Sequence, residues 1–290
     1  MMDNAKFLWP YEISLKALNK NETYNYMFSL NSEIKYGNMI SKDYIKKRIQ
    51  IKQLKPKKED HYRFKINTEI NVFLLDLLKI KQQSFYERLH NLTEELDITI
   101  TKKGIILFIN NKDKIIEKWE ILRHRLLKKF KGSIVENYLN KLDEKLNNEE
   151  ELLNDIKQNR LLGFLFNNQY SMYGNSNKNT ITKTKKHIQT IEYFPVIIDE
   201  SLSWVGNKES EPIKISINGK INKHTPVETI KKYFKRKNKF EETNLQLKKY
   251  LGNYCINKKT GWIDEANFTM DLAYTDNYNK TQQIELLRLQ

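Results

Sequence analysis

The chain has 290 residues, 39% hydrophobic and 11% aromatic, enough for one large domain or two moderate ones with a real core. Lysine and arginine exceed aspartate and glutamate by 15, which permits contact with nucleic acid or an anionic membrane without requiring it. The single cysteine, Cys255, excludes an intramolecular disulfide and a zinc site made with two or more cysteines. With no basic leader and no run of roughly 18 apolar residues, we expect a soluble, cytoplasmic protein.

Alternating apolar residues predict strands in the first third of the chain. Residues 21–37 place four large apolar side chains on one face, Tyr24, Tyr26, Phe28 and Leu30. Residues 49–54 and 61–73 continue the alternation on either side of a charged turn that contains a proline, which is typical of a hairpin. Since polar residues fill the opposite face, we expect an antiparallel sheet with one solvent-exposed face.

Helical spacing and a second hairpin follow. Residues 74–96 have a looser pattern that favours a helix near Phe85 and Leu89. Residues 96–110 predict a hairpin around Gly104, which can adopt the positive φ that a tight turn needs.

The clearest helical region spans residues 111–165. Asn111 is a predicted N-cap, and apolar residues then recur at spacings of three and four. Gly132 breaks or restarts the helix, and Ser133 with Glu136 has the spacing of a capping box. The predicted apolar stripe beyond it consists of Ile134, Tyr138, Leu142, Leu146, Leu153 and Ile156. The region should hold two or three helices that lie along the sheet or pair with each other.

The C-terminal half returns to strands. A polar, asparagine-rich stretch at 167–186 is predicted to be a loop or a hairpin crown. Strand patterns resume at 188–221, and the last 45 residues or so predict three strands with turns at 257–261 and 276–280. Strands, then helices, then strands predict an α+β protein with a β-rich part at 1–110, a helical part at 111–165 and a second β-rich part at 166–290, in one composite domain.

The most conspicuous segment is KKYFKRKNKF, residues 231–240, with six cations and three aromatics in ten positions. A strand that mixes cations with aromatics could bind single-stranded nucleic acid. However, Thr225, Pro226 and Glu228 form a helix-start signal, and Val227, Ile230, Tyr233 and Phe234 then share one helical face. The sequence therefore favours a short amphipathic helix whose aromatics anchor the core and whose outer face is basic.

Catalytic and metal-binding motifs are missing from the sequence. The five histidines are far apart and form no zinc-binding pattern, and no phosphate-binding or nucleophile-elbow motif occurs. Asp199 and Glu200 are adjacent carboxylates, but a glycosidase needs two carboxylates across a cleft. We therefore expect no catalytic residue, no metal, no cofactor and no enzymatic activity. A cleft where Asp199, Glu200 or a histidine meets a second titratable group would favour an enzyme instead.

Two segments carry a resemblance to other proteins. Residues 96–126 contain a short strand, a turn ending in Lys-Gly, a strand, an asparagine and then a helix with a tryptophan; residues 251–272 contain Gly-x-Tyr, an apolar pair, a Lys-Thr-Gly turn and an outgoing strand. Together with residues 11–34, this resembles a loosely defined group of β-rich bacterial proteins common in the Bacteroidetes. The resemblance implies a curved antiparallel sheet built from N- and C-terminal hairpins, with a long helical segment in the middle, and it implies no catalytic residue.

Two functional hypotheses remain. The preferred one is a bacterial binding or accessory protein that recognises a protein partner or an apolar ligand, for example as an accessory part of a secretion or injection machine. The alternative is a binder of nucleic acid or of an anionic membrane surface. Its predicted contacts lie on basic faces of two predicted helices, Lys231, Lys232, Lys235 and Arg236 on one and Arg123, Arg125 and Lys128 on the other.

Overall fold

The computed structural model describes residues 11–18, 22–55, 60–76, 80–166, 170, 172–173, 180–191, 194–205, 212–238, 244–274 and 278–289. The strands in them are β1 (Tyr11–Glu12), β2 (Thr23–Tyr36), β3 (Met39–Leu54), β4 (His61–Leu75), β5 (Glu95–Thr101), β6 (Ile106–Ile109), β7 (Met172–Tyr173), β8 (Thr180–Ile191), β9 (Phe194–Val205), β10 (Ile213–Ile221), β11 (Gln246–Ile256), β12 (Ile263–Ala273) and β13 (Tyr278–Leu289). The helices are α1 (Ile80–His90), α2 (Lys112–Lys129), α3 (Ser133–Asn147), α4 (Glu149–Gln158), α5 (Arg160–Leu165) and α6 (Val227–Asn238).

Most of the strands belong to one large sheet. Within the described residues, eleven strands form an antiparallel sheet in the order β6-β5-β4-β3-β2-β13-β12-β11-β10-β9-β8, and the two-residue strands β1 and β7 pair separately. Neighbours in sequence are mostly neighbours in the sheet, as hairpin connections require. The predicted antiparallel pairing is confirmed.

The predicted fold class is wrong in its arrangement. One continuous sheet replaces the curved sheet of separate N- and C-terminal hairpins, and short helices replace the long helical segment. The helical region breaks because Phe130 is extended and Gly132 has a φ of 123°. It restarts twice more where the side chains of Asn148 and Asn159 accept hydrogen bonds from the first N–H groups of α4 and α5.

The polar stretch predicted as a loop is partly a strand. Residues 180–186 lie in β8, at one edge of the sheet, while residues 167–169, 171 and 174–179 lie outside the described residues. Strand β8 alternates threonine with lysine, and β-branched threonine and charged lysine both suit an edge strand. The hairpin around Gly104 is confirmed by β5 and β6, and Gly104 has a φ of 75°.

The chain folds into two compact units, each with its own core. The first contains Met1–Lys16, Ser29–Tyr44 and Gln169–Arg288, and the second contains Ala17–Phe28, Ile45–Asn168 and Leu289–Gln290. No helix in the described ranges combines the length and the apolar character needed to cross a bilayer.

The first unit packs the sheet strands β8–β13 against α6. Every second residue of β9 from Val196 to Trp204 is buried, which defines the inner face of this part of the sheet. Helix α6 places Ile230 and Phe234 in the core, and the Phe234 ring lies 4.4 Å from the ring of Tyr274 between centroids. The predicted amphipathic helix is therefore confirmed.

The start of α6 differs from its predicted capping box. The helix begins at Val227, and the hydroxyl of Thr225 is buried. Instead of capping the helix, this hydroxyl donates to the carbonyl of Ile197 and accepts from its N–H. A buried hydroxyl needs such partners, and β9 supplies both of them.

The second unit packs α1–α5 with β4–β6. Its strands bury Phe64, Ile66, Ile98 and Ile100, and α2 contributes Trp119, which is fully buried. The predicted N-cap Asn111 uses its side chain differently: it accepts from the N–H of Asp97 and donates to the carbonyl of Glu95. Asn111 therefore ties the start of α2 to β5 instead of capping the helix.

Candidate functional site

The basic face of α6 is present in the first unit. Lys232, Lys235 and Arg236 are exposed, while Lys231 is half-buried and pairs with Glu228 at 3.3 Å on the same helix. Two of the segment's three aromatics turn the other way: Phe234 is buried, and the Tyr233 ring meets Phe194 at 5.3 Å between centroids. These two are core anchors and are not presented for base stacking, and Phe240 lies outside the described residues.

The other three predicted contacts lie on α2, in the second unit. Arg125 and Lys128 are exposed, whereas Arg123 is half-buried and donates from Nη2 to Asn140 Oδ1 of α3 at 2.8 Å. Arg123 therefore holds two helices together. The predicted polyanion contacts are thus divided between the two units, four on α6 and three on α2.

An exposed apolar cluster lies beside the basic end of α2. We define the α1–α3 patch as Tyr86, Phe130, Ile134 and Tyr138. Ile134 is 85% exposed, Tyr138 43% and Tyr86 37%. The Tyr86 and Tyr138 rings lie 6.3 Å apart, and Phe85, buried beneath them, contacts Tyr138 and Phe130 at 5.9 and 5.1 Å between centroids. These ring contacts join α1, the residue that follows α2, and α3, and Ile134 lies one helical turn before Tyr138 on α3.

Helix α3 exposes these side chains because its buried face is offset from the predicted stripe. The sequence predicts that Ile134, Tyr138 and Leu146 share a core face, but the side chains that α3 buries are Leu139 and Leu146. These two residues are seven positions apart and so lie on the same side of a helix. Ile134 and Tyr138, one turn apart, fall on the neighbouring side and remain exposed.

Two interhelical hydrogen bonds fix the orientation of α3 against α2. The buried Trp119 donates from Nε1 to Asp143 Oδ1 at 2.7 Å, and Arg123 donates to Asn140 as described. Because these bonds hold the two helices in one arrangement, little backbone order is lost when a partner binds. The backbone that carries Tyr138 and Ile134 is therefore preorganised.

Exposed cations are close to the α1–α3 patch along the chain. Lys128, Lys129 and Lys131 are exposed at the end of α2 and in the turn to α3, and Arg88 is exposed on α1. The Lys129 ammonium lies 5.5 Å from the centre of the Phe130 ring, within range of a cation–π contact. The exposed carboxylates of Glu87 and Glu136 only partly offset this charge.

A buried polar network occupies the inner face of the first unit. Opposite one another on successive strands lie Lys183 of β8, Glu200 of β9 and Gly219 of β10. Tyr250 of β11 donates its hydroxyl to Glu200 Oε1 at 2.9 Å, and Lys183 Nζ lies 3.2 Å from Glu200 Oε2. Both carboxylate oxygens are thus engaged, and Glu200 is 1% exposed.

His187 extends this network along β8. Its Nε2 lies 2.9 Å from the Tyr250 hydroxyl, and its ring is parallel to that of Phe268 with centroids 6.5 Å apart. Burial works against the ionised form of Glu200, but the charges of Lys185 and Lys183 and the hydrogen bond from Tyr250 outweigh it and lower the pKa of Glu200 to about 2. The carboxylate is therefore ionised and internally neutralised.

The network brings together groups that the sequence left separate. A carboxylate now meets a tyrosine and a lysine, and the tyrosine meets a histidine, which is the kind of juxtaposition that would favour an enzyme. However, Glu200 and Tyr250 are buried and bonded to each other. Adjacent Asp199 points to the opposite face of β9, where it accepts from Thr184 and Asn222. The arrangement is that of an internal ion pair.

Among the described residues, no group of three or more histidine, cysteine, aspartate or glutamate side chains is placed to hold a metal ion. The α1–α3 patch is therefore the better candidate for contact with another molecule. Its signal in the sequence is an isoleucine and a tyrosine four residues apart, directly after a lysine-rich helix end.

The sequence matches no model of a known protein family and no curated protein.

Proposed function

We propose that this protein is a binding protein that docks an acidic, partly apolar surface of a protein partner on the α1–α3 patch. The observation that carries the proposal is the exposure of Ile134, 85%, beside Tyr138 and Tyr86. A single exposed apolar residue needs no explanation, but an isoleucine one helical turn from an exposed tyrosine ring, which itself contacts a second exposed ring, does.

The gain from covering this patch is substantial. Full burial of an isoleucine side chain stabilises a complex by about 1.5–3 kcal/mol. Tyrosine is enriched among the residues that dominate binding energy, because it offers a large rigid surface with a polar end. Ile134 with Tyr86 and Tyr138 thus has the composition of the centre of an interface.

The surrounding cations specify the charge of the partner. Lys128, Lys129 and Lys131 would form the rim of the interface, where exposed charge pairs act chiefly on the rate of association and on specificity. A partner with carboxylates around an apolar pocket matches this arrangement. By contrast, the described outer positions of α6 include no exposed apolar residue comparable to Ile134.

Site-specific photocrosslinking in the native cell tests the proposal. The photoreactive residue p-benzoylphenylalanine is placed at position 138, and at position 287 as a matched control, because Leu287 is also exposed (52%) but belongs to the first unit. We expect a discrete protein adduct at position 138 that is absent at position 287. The adduct should disappear when Lys128 and Lys129 are replaced by glutamate.

Other outcomes would contradict a protein partner. Equal adducts at both positions would mean random collision. If the purified protein binds single-stranded DNA or phosphatidylserine vesicles, and that binding is lost on Lys128→Glu with Lys129→Glu, the patch serves a polyanion instead. Such binding would weaken steeply with added salt, since it rests on released counterions.

A further inference from the structure

Three cations lie in a row on the solvent-facing side of β3. Lys46, Arg48 and Lys52 alternate with side chains that are buried in the second unit, namely Ile45, Lys47, Ile49 and Ile51. Arg48 and Lys52 are exposed, as is Gln50 between them, and Lys46 is half-buried. None of the three cations forms an ion pair or a side-chain hydrogen bond with a described residue. Since alternate residues of a strand are about 6.6 Å apart, they form a straight line of charge that the fold leaves unneutralised.

Strand β2 adds no charge beside this row. β2 and β3 are neighbours in the sheet, and Glu33 of β2 lies 3.2 Å from Lys42 of β3. Odd-numbered residues of β2 therefore share a face with even-numbered residues of β3. In the second unit, that face of β2 consists of Thr23, Asn25 and Met27, which are uncharged and half-buried.

On the side of β4, most carboxylates already have a partner. Arg63 of β4 donates to both oxygens of Asp97 at 2.8 and 2.5 Å, and Lys65 of β4 lies 2.8 Å from Glu95. Glu69, the next carboxylate along β4, is exposed and lies beyond both pairs. One carboxylate offsets at most one of the three cations of β3, so a net positive charge remains.

An exposed aromatic ring lies on the same face. Arg63 alternates with the buried Phe64 and so points away from the core, as the three cations do. Thr99 of β5 is opposite Arg63, and Phe108 of β6 is opposite Thr99. Phe108 is 50% exposed. Because adjacent strands are about 4.8 Å apart, β6 lies about 14 Å from β3, and one surface presents both the cations and the ring.

We propose that this surface, the β3 cation face, binds the backbone of single-stranded nucleic acid. The β3 cation face is defined as Lys46, Arg48 and Lys52 together with Phe108. A chain of phosphates laid along β3 matches the line of cations. Unpaired bases stack on exposed rings, whereas a duplex keeps its bases inside and would use the cations alone. The face shares no residue with the α1–α3 patch and does not depend on it.

Fluorescence anisotropy of a labelled oligothymidine of about 16 nucleotides tests the proposal. The full chain is titrated at several sodium chloride concentrations between about 50 and 200 mM. We expect saturable binding that weakens with salt. Each neutralised phosphate of a single strand contributes about 0.7 to the slope of log affinity against log salt, so three cations predict a slope of about −2.

Charge reversal locates the site. Arg48→Glu with Lys52→Glu should lower the affinity by roughly a hundredfold, because two charge-assisted contacts are lost. The control, Lys141→Glu with Lys157→Glu, makes the same change of net charge at exposed positions of α3 and α4 and should bind as the natural protein does. The milder Arg48→Gln with Lys52→Gln guards against misfolding: it should keep the melting temperature and reduce the slope to about −0.7.

Phe108→Ala tests the contribution of base stacking. It should weaken binding of oligothymidine by roughly tenfold without changing the salt slope. Binding of an oligomer of abasic sites should not respond to this substitution. Equal affinity of the natural protein and Phe108→Ala for oligothymidine would contradict a preference for single strands.

Four further results would overturn the proposal. The first is no salt-dependent binding by the natural protein, and the second is an equal loss of affinity in the control and in Arg48→Glu with Lys52→Glu. The third is tighter binding of a duplex of the same length, or binding of phosphatidylserine vesicles in place of oligothymidine. The fourth is binding of oligothymidine that is lost only on Lys128→Glu with Lys129→Glu, which would place the nucleic acid on the α1–α3 patch.

Discussion

Tyr250 donates its hydroxyl to Glu200 at 2.9 Å although strand β10 separates the two residues in the sheet. The contact is possible because Gly219 lies between them. A β-carbon on Gly219 would come within 2.5 Å of the Tyr250 ring, so the ring crosses β10 in space that only glycine leaves free. Removal of that space should separate the phenol from the carboxylate.

Gly219→Ala should therefore destabilise the protein. Overpacking of a well-packed site costs about 1–3 kcal/mol, and the displaced Tyr250 would also leave the Glu200 carboxylate with one fewer donor. Asn218→Ala is the matched control, because Asn218 is the exposed neighbour on the same strand and should change stability by less than about 0.5 kcal/mol. Urea unfolding of both variants measures the difference; equal stabilities would show that the ring does not lie over Gly219.

Glu200 should make the protein sensitive to acid. Its pKa is lowered to about 2 in the folded protein from an ordinary value of 4.5, so its contribution to stability is present above about pH 4.5 and is lost as the pH falls towards 2. Burial lowers the pKa of Lys183 to about 8, so Lys183 stays protonated throughout this range. It therefore does not change the free energy of unfolding between pH 5 and pH 2 or so. The free energy of unfolding, measured by urea between pH 5 and pH 2 or so, should fall less steeply in Glu200→Gln than in the natural protein. Parallel curves would contradict an ionised Glu200.

Lys47 should change how the free energy of unfolding depends on pH in the alkaline range. Because burial lowers its pKa to about 8 from 10.5, the unfolded chain binds more protons than the folded protein between these values, and stability rises with pH there. Lys183 titrates in the same range, so the relevant quantity is the difference between the natural protein and Lys47→Met. We expect the variant to be relatively more stable near pH 8 and to lose that advantage towards pH 10.5 or so. A constant difference across the range would mean that Lys47 is not desolvated.

The bond from Trp119 to Asp143 should hold α2 and α3 together. Trp119 is fully buried, so loss of its acceptor in Asp143→Ala leaves an unsatisfied indole N–H at a cost of about 1–3 kcal/mol. Trp119→Phe in the Asp143→Ala background removes the donor as well, and the two changes should be less than additive. Strict additivity in chemical unfolding would mean that the hydrogen bond contributes nothing.

Local patterns in the sequence predicted several elements correctly. Alternation located β4, β5 and β6, and the spacing from Val227 to Phe234 identified α6 with its buried Phe234. These patterns suffice because the apolar residues of a buried strand or helix face recur at a fixed spacing within the element itself.

Other features depend on contacts between distant segments. The network of Glu200 needs Lys183 and Tyr250, which are brought opposite each other only by the order of the strands. Residues 180–186 read as a polar loop because an edge strand carries few apolar residues. The α1–α3 patch was hidden because Ile134 and Tyr138 satisfy a helical stripe equally well whether the partner that covers them is within the chain or outside it.

The alternating apolar residues of β3 include one lysine that the sequence alone makes visible. Lys47 interrupts an otherwise apolar alternation from Ile45 to Ile51. A lysine at a core-facing position is rare, so this one predicts a buried charge once the extent of the strand is known.

The central claim is that Ile134 is an interface residue, and the adduct formed from position 138 tests it most directly. Ile134→Asp should leave the free energy of unfolding within about 0.5 kcal/mol of the natural value, because the side chain is 85% exposed. In a protein carrying p-benzoylphenylalanine at position 138, the same change should abolish the protein adduct, whereas Leu287→Asp should leave it intact. An adduct that survives Ile134→Asp undiminished would contradict the α1–α3 patch as the docking surface.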